Sequence, residues 1–156
     1  MSLPIVGQPI PRLTGPSTQG PFDSAQLAGK PYVLYFYPRD NTPGCTTEAQ
    51  DFRDLHGQFL AHGCAVFGVS RDSLKSHERF AEKQSLPFAL ISDPDEALCT
   101  LFGVMKNKTL YGKPVRGIER STFLVDAAGQ LAREWRGVRV PDHAAEVLQA
   151  VQALGT

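Results

Sequence analysis

The sequence predicts an α/β sandwich, a central mixed β-sheet with helices packed against it. Three observations carry this expectation. The runs Tyr32–Tyr37 and Ala65–Val69 are too uniformly apolar for a sheet with one wet face, so they read as strands covered on both sides. Amphipathic stretches of helical period alternate with these runs, the order expected of parallel strands joined by crossover helices. Two late strand-like segments flank a short turn ending in glycine, which adds an antiparallel arm and makes the sheet mixed.

The elements follow in order. Met1 to Gly20 is rich in Pro, Gly, Ser and Thr and predicts a short N-terminal β-hairpin, with arms Pro11-Arg12-Leu13-Thr14 and Gly20-Pro21-Phe22. Ser24 to Gly29 is a turn or short helix. After strand Tyr32–Tyr37, a helix spans Pro43 to Ala61, with Thr42 as its N-cap and Pro43 at the first helical position, where a missing N–H costs nothing. Strand Ala65–Val69 precedes a second helix, Ser73 to Gln84, whose apolar face carries Leu74, His77, Phe80, Ala81 and Gln84. Phe88–Ile91 is a short strand and Pro94 to Phe102 a short helix. Lys106 to Gly117 reads as a lysine-rich loop. Ser121–Asp126 and Gln130–Arg136 form a hairpin around Ala127-Ala128-Gly129. Pro141 to Leu154 closes the chain as a helix, with Gly155 after its end. No linker, repeat or low-complexity tract interrupts residues 1–156, so one domain is expected.

Bulk properties narrow the functional classes. Sixteen basic and sixteen acidic residues give a formal net charge of zero, which argues against nucleic acid or an anionic membrane as the main partner. No apolar run approaches the ~20 residues of a membrane span, and the N-terminus lacks a basic-then-apolar signal pattern, so a cytoplasmic location is expected. Three cysteines without paired spacing are not a disulfide framework and fit a reducing compartment. The histidines His56, His62, His77 and His143 do not pair with one another or with cysteine at metal-ligand spacing, and no glycine-rich nucleotide loop is present. No cofactor and no metal are expected.

The chemistry concentrates at Cys45. It falls in the first turn of the helix that follows a buried strand, where free backbone N–H groups and the positive end of the helix dipole favour an anion. It shares the apolar stripe of Ala49, Phe52, Leu55 and Phe59, so its sulfur should point inward. Burial alone works against a thiolate; the helix terminus and a nearby cation work for it. The balance matters, because a thiol of pKa about 8.5 is only about 3% ionised at pH 7, whereas one near 6 is about 90% ionised. A lone cysteine is otherwise a small buried hydrophobe. The cap, the proline and the strand-to-helix position favour the reactive reading.

The string Phe36-Tyr37-Pro38-Arg39-Asp40-Asn41-Thr42-Pro43-Gly44-Cys45-Thr46-Thr47-Glu48 contains Pro-x-x-x-Thr-x-x-Cys and resembles the active-site signature of peroxiredoxins, in the branch called PrxQ or bacterioferritin comigratory protein. Gly68-Val69-Ser70-Arg71-Asp72-Ser73, Leu90-Ile91-Ser92-Asp93, Tyr111-Gly112-Lys113 and Arg120-Ser121-Thr122-Phe123-Leu124-Val125-Asp126 extend the resemblance over nearly the whole chain. The resemblance implies a thioredoxin-like fold. It implies a thiol-dependent peroxidase acting on hydrogen peroxide and organic hydroperoxides, recycled by thioredoxin, glutaredoxin or a small thiol. It also implies a monomer.

The resemblance assigns site roles as well. Cys45 becomes the peroxidatic nucleophile, and Thr42, beyond capping, a hydroxyl that orients the peroxide. Pro38 shapes and dries the pocket, and Gly44 and Glu48 support the site. Arg120, by position alone a strand-end arginine, becomes the cation that stabilises the thiolate and the departing oxygen, with a charge it never loses. Glu48 and Arg39 are candidates for a charge pair, worth under ~1 kcal/mol if it is an ordinary surface pair. The resemblance also reveals a gap. Relatives of this branch carry a second, resolving cysteine five residues after the first or in the second helix, where this chain has Gln50 and Ala81. Cys64 and Cys99 remain, each more simply read as a buried structural thiol. A one-cysteine cycle is therefore expected. The competing class is a redox-sensing or holdase protein on the same fold with little turnover. A thioredoxin-type disulfide reductase needs Cys-x-x-Cys and fails at Glu48.

Overall fold

The computed structural model describes residues 3–154. Strands β1 (Thr14–Gly15) and β2 (Phe22–Asp23) form the expected N-terminal hairpin, followed by a 3₁₀ turn over Ser24–Leu27. The central sheet contains β3 (Tyr32–Phe36), β4 (Ala65–Ser70), β5 (Ala89–Ser92), β8 (Ser121–Val125) and β9 (Leu131–Arg136), in the spatial order β5-β4-β3-β8-β9. Strands β3, β4 and β5 are parallel, β8 runs antiparallel to β3, and β9 antiparallel to β8. The sheet is mixed, as strands alternating with helices and then a late hairpin predict.

Period-two alternation along β3 sends successive side chains to two cores. Val33, Tyr35 and Tyr37 face helices α1 (Pro43–Ala61), α2 (Leu74–Gln84) and α4 (His143–Leu154), meeting Phe52, Phe59, Phe80 and Val147. Leu34 and Phe36 face the other way, into Leu13, Phe22, Phe102 and Phe123, beneath the N-terminal hairpin and helix α3 (Ala97–Leu101). Phe52 anchors α1 to the sheet. Its ring stacks on Tyr35 at 4.6 Å, and burying a side chain of this size stabilises the fold by about 1.5–3 kcal/mol.

Three segments differ from the sequence reading. The lysine-rich Lys106–Gly117 segment is not a loop but a two-stranded ribbon, β6 (Met105–Leu110) with β7 (Lys113–Ile118). It turns at Tyr111 and Gly112, whose φ values of 54° and 76° suit the tight hairpin turn with two left-handed residues. Helix α3 covers only Ala97–Leu101, because Glu96 at φ 62° breaks the turn before it. Helix α4 begins at His143 and not at Pro141, because Asp142 at φ 64° stands between them. The glycine expected after its end, Gly155, lies outside the described residues. Among the described residues, no helix is long and apolar enough to cross a membrane.

Candidate active site

Strand β3 delivers the chain to the site and α1 receives it. The Tyr37 N–H still donates to Val69 O at 3.0 Å, so strand pairing persists to the start of the loop. The loop turns at Asn41, with φ 62°, and Thr42 enters the helix in extended conformation with Pro43 in its first turn. Thr46 N–H donates to Thr42 O at 2.9 Å, the first bond of the helix. The Thr42 hydroxyl does not cap α1 as predicted. It donates instead to Arg39 O at 2.8 Å and closes the loop on itself. Pro38 is exposed, so it contributes a fixed backbone bend rather than buried apolar surface.

Cys45 is buried, 1% exposed, and points toward the sheet beside Ala49 and Phe52. Arg120 reaches it from between β7 and β8. The Phe36–Ser121 pairing sets the start of β8 beside the exit of β3, and Arg120 immediately precedes it. Arg120 Nη2 donates to Cys45 Sγ at 3.4 Å, and Nη1 to Glu48 Oε1 at 2.6 Å. One planar fork thus spans two residues one helical turn apart on α1. Gly44 leaves room for it: a Cβ there would lie 3.2 Å from Arg120 Nη2.

Glu48 is paired with Arg120 and not with Arg39, which is exposed; only the arginine on β8's approach faces the buried side of α1. Glu48 is 1% exposed and its Oε2 has no hydrogen-bond partner among the described residues. Burial pushes its carboxyl up to about 7, against the pull of the adjacent guanidinium. Deeper still, Thr122 Oγ1 and His143 Nε2 lie 2.8 Å apart, and burial pushes the imidazole down to about 4.

A second cluster, absent from the sequence reading, underlies the loop itself. Asp40 is buried, and its carboxylate accepts from the Tyr37 hydroxyl at 2.6 Å and the Ser76 hydroxyl at 2.8 Å. Its Oδ2 also lies 2.8 Å from His77 Nδ1. The Asp40 N–H donates to Asp72 Oδ2 at 3.0 Å. His77 Nε2 lies 3.0 Å from the carbonyl oxygen of Ile91 on β5. Burial, the largest influence on Asp40, pushes its carboxyl up, but His77, Tyr37 and Ser76 bring it below the ordinary carboxylate range. Oxygens of Asp40 and Asp72 and a nitrogen of His77 converge within 4.8 Å, and each group already takes part in hydrogen bonds inside the cluster. Only His77, a polar residue on a helix face with Leu74, Phe80 and Ala81, hinted at this in the sequence.

The other two thiols lie apart from Cys45. Cys99 sits in α3, in the core on the opposite face of the sheet. Cys64 shares the face of Cys45 but follows the far end of α1, and a helix of 19 residues at ~1.5 Å per residue separates the two by on the order of 25 Å. Burial pushes the Cys64 thiol up to about 12, and burial together with Asp93 raises that of Cys99 further.

Comparison with known proteins identifies the family. Residues 6–134 match the AhpC/TSA family. The chain is 55% identical over 126 residues to Peroxiredoxin Bcp of Xanthomonas campestris, covering 81% of this chain and 79% of that one. It is 48% identical over 150 residues to Peroxiredoxin Bcp of Bacillus subtilis, covering 94% of each. Among solved structures, Xanthomonas campestris Peroxiredoxin Q superposes with a TM-score of 0.87 at 49% identity over 92% of both chains. A Xylella fastidiosa PrxQ mutant gives 0.92 at 41% identity over 98% of both. The thioredoxin-like fold implied by the sequence resemblance is the fold of these neighbours. The chain belongs to the AhpC/TSA family and is, within it, a peroxiredoxin of the Bcp/PrxQ kind.

Proposed function

We propose that Cys45 is the peroxidatic nucleophile of this thiol-dependent peroxidase, with Arg120 and Thr42 as its immediate partners. The observation that carries the assignment is the 3.4 Å contact between Arg120 Nη2 and Cys45 Sγ in the first turn of α1. The Cys45 thiolate attacks one oxygen of the peroxide. The O–O bond breaks, sulfur is oxidised by two electrons to a sulfenic acid, and the departing oxygen takes a proton to leave as water or an alcohol. The guanidinium sits where negative charge moves from sulfur to oxygen, and Glu48 fixes its plane. The Thr42 hydroxyl, anchored on Arg39 O, borders the same turn and is the group that aligns the incoming peroxide.

The substrates are hydrogen peroxide and organic hydroperoxides. The Xanthomonas campestris bacterioferritin comigratory protein, a solved neighbour at 48% identity, is described for alkyl peroxide reduction. With Gln50 and Ala81 at the places of a resolving cysteine, the sulfenic acid is reduced by an external thiol. One equivalent forms a mixed disulfide and releases water; a second releases Cys45 and carries away the disulfide. A thioredoxin-like protein, a glutaredoxin or a small thiol meets that requirement. We read the protein as a single-domain cytoplasmic monomer; of these, the reducing compartment is supported by three cysteines without paired spacing.

Cys45→Ser is expected to abolish peroxide consumption with a thiol reductant, while Cys64→Ser and Cys99→Ser retain it. Turnover that survives Cys45→Ser and is lost in either other variant would refute the assignment. Stoichiometric oxidation of Cys45 without turnover would favour a redox sensor or holdase instead.

A further inference from the structure

The loop that carries Thr42 into the site is fastened from below by groups that touch neither peroxide nor Cys45. Asp40 occupies the middle of that loop. Its two carboxylate oxygens hold three side chains: Tyr37 Oη at 2.6 Å, Ser76 Oγ at 2.8 Å and His77 Nδ1 at 2.8 Å. His77, 0% exposed, bridges onward to Ile91 O at 3.0 Å. A carbonyl oxygen only accepts, so Nε2 carries a hydrogen. Two bare lone pairs at 2.8 Å would repel, so a second proton lies between Nδ1 and Asp40 Oδ2. The pair thus holds one shared proton in a site closed to water. Tyr37 at the end of β3 and Asp72 after β4 are the other titratable groups facing it.

We propose that Asp40 and His77 are positioning residues for the peroxidase reaction, a proton-sharing knot that ties the loop carrying Thr42 to α2 and β5. The inference rests on Cys45 being the nucleophile. The knot links four parts of the fold: the loop, the end of β3, α2 through Ser76 and His77, and β5 through Ile91. Cutting it frees Asp40 and, two residues on, Thr42. Cys45 remains in the first turn of α1 with Arg120 beside it. The knot therefore governs alignment of the O–O bond and leaves the thiolate itself unchanged. A displacement of about 1 Å at a reacting group lowers rates by up to roughly a hundredfold.

The test compares two reagents for the same sulfur. Iodoacetamide needs only an accessible thiolate, whereas peroxide also needs alignment. Loss of the Cys45 thiol on adding peroxide to the wild type is established first; its absence would refute the nucleophile assignment and not the knot. In Asp40→Ala the ratio of peroxide rate to iodoacetamide rate is expected to fall roughly ten- to hundredfold. Asp40→Asn restores the ratio to within about threefold, because its amide donates to His77 Nδ1 and its oxygen still accepts from Tyr37. Ser76→Ala removes one hydroxyl without leaving a buried charge unpaired, and it lowers the ratio about two- to threefold. A wild-type ratio in Asp40→Ala and Ser76→Ala, or an Asp40→Asn ratio as low as that of Asp40→Ala, overturns the proposal. Ring ¹⁵N spectra of the wild type add a test without substitution. A proton bridging His77 Nδ1 and Asp40 supports the knot, and a bare Nδ1 at neutral pH refutes it.

Discussion

Arg120 divides its guanidinium between Cys45 Sγ and Glu48 Oε1, and the burial of Glu48 gives that division a pH dependence. Burial lifts the Glu48 carboxyl from 4.5 to about 7, so the folded state holds this proton more tightly than the unfolded chain does. The stabilisation is complete below about pH 4.5 and is lost as pH rises through about 7. A shift of this size corresponds to up to about 3 kcal/mol between the two limits. Glu48→Gln cannot titrate. Urea denaturation from pH 4.5 to 8.5 should therefore show the wild type losing stability relative to Glu48→Gln as pH rises. A wild type that gains relative stability would mean that attraction to Arg120 outweighs desolvation of the carboxylate. The meeting of Cys45 and Arg120 was legible in the sequence, because a helix-start position marks the first and a family resemblance marks both. Asp40 was not, because its partner His77 is 37 residues away and no local spacing announces the pair.

Helix α1 was legible at both ends, Pro43 and Ala61, because its start carries an N-cap residue and a proline and its inner face a continuous apolar stripe. The ribbon β6–β7 was not. Residues 106–109 and 113–116 are exposed, so no apolar alternation marks the strands, and Tyr111-Gly112 is not one of the dipeptides that usually announce a hairpin. The start of α4 was misplaced for a related reason: a proline shortly before a helix does not reveal that Asp142 adopts a left-handed conformation. The packing of α1 bears on its part in the cycle. Gln50 Nε2 donates to Gln84 Oε1 at 2.9 Å, and Arg53 Nη1 to Gln84 O at 2.9 Å, so the second and third turns are tied to the end of α2. No thiol at position 50 or 81 calls for those turns to open. Hydrogen exchange of α1 peptides, measured before and after one equivalent of peroxide, is expected to show unchanged protection across residues 46–52. Deprotection there on oxidation would mean that the helix unwinds despite having no thiol partner.

Across the whole molecule, the sheet and the length of α1 keep the other cysteines from Cys45. Cys45 and Cys99 belong to cores on opposite faces, with β3 between them. Cys64 is separated from Cys45 by the length of α1, on the order of 25 Å, whereas a disulfide requires Cα atoms roughly 4.4–6.8 Å apart. Joining Cys45 to Cys99 would require α3 to leave its core or the sheet to open, and joining it to Cys64 would require α1 to unfold along its length. Either motion exposes buried aromatic side chains such as Phe52 or Phe102 and costs several kcal/mol, against a reaction with an external thiol that needs only access to the first turn of α1. The sulfenic acid should therefore persist in the folded pocket until a thiol reaches it, and with excess peroxide it should pass to the sulfinic state. After one equivalent of peroxide, intact mass is expected to show one added oxygen, with Cys64 and Cys99 still free. With excess peroxide, a second oxygen appears on the same peptide and activity is lost in step. Non-reducing peptide maps of the monomer band decide the matter. An abundant peptide linking Cys45 to Cys64 or Cys99 would show that the fold opens far enough to supply its own resolving thiol, and the one-cysteine cycle would have to be abandoned.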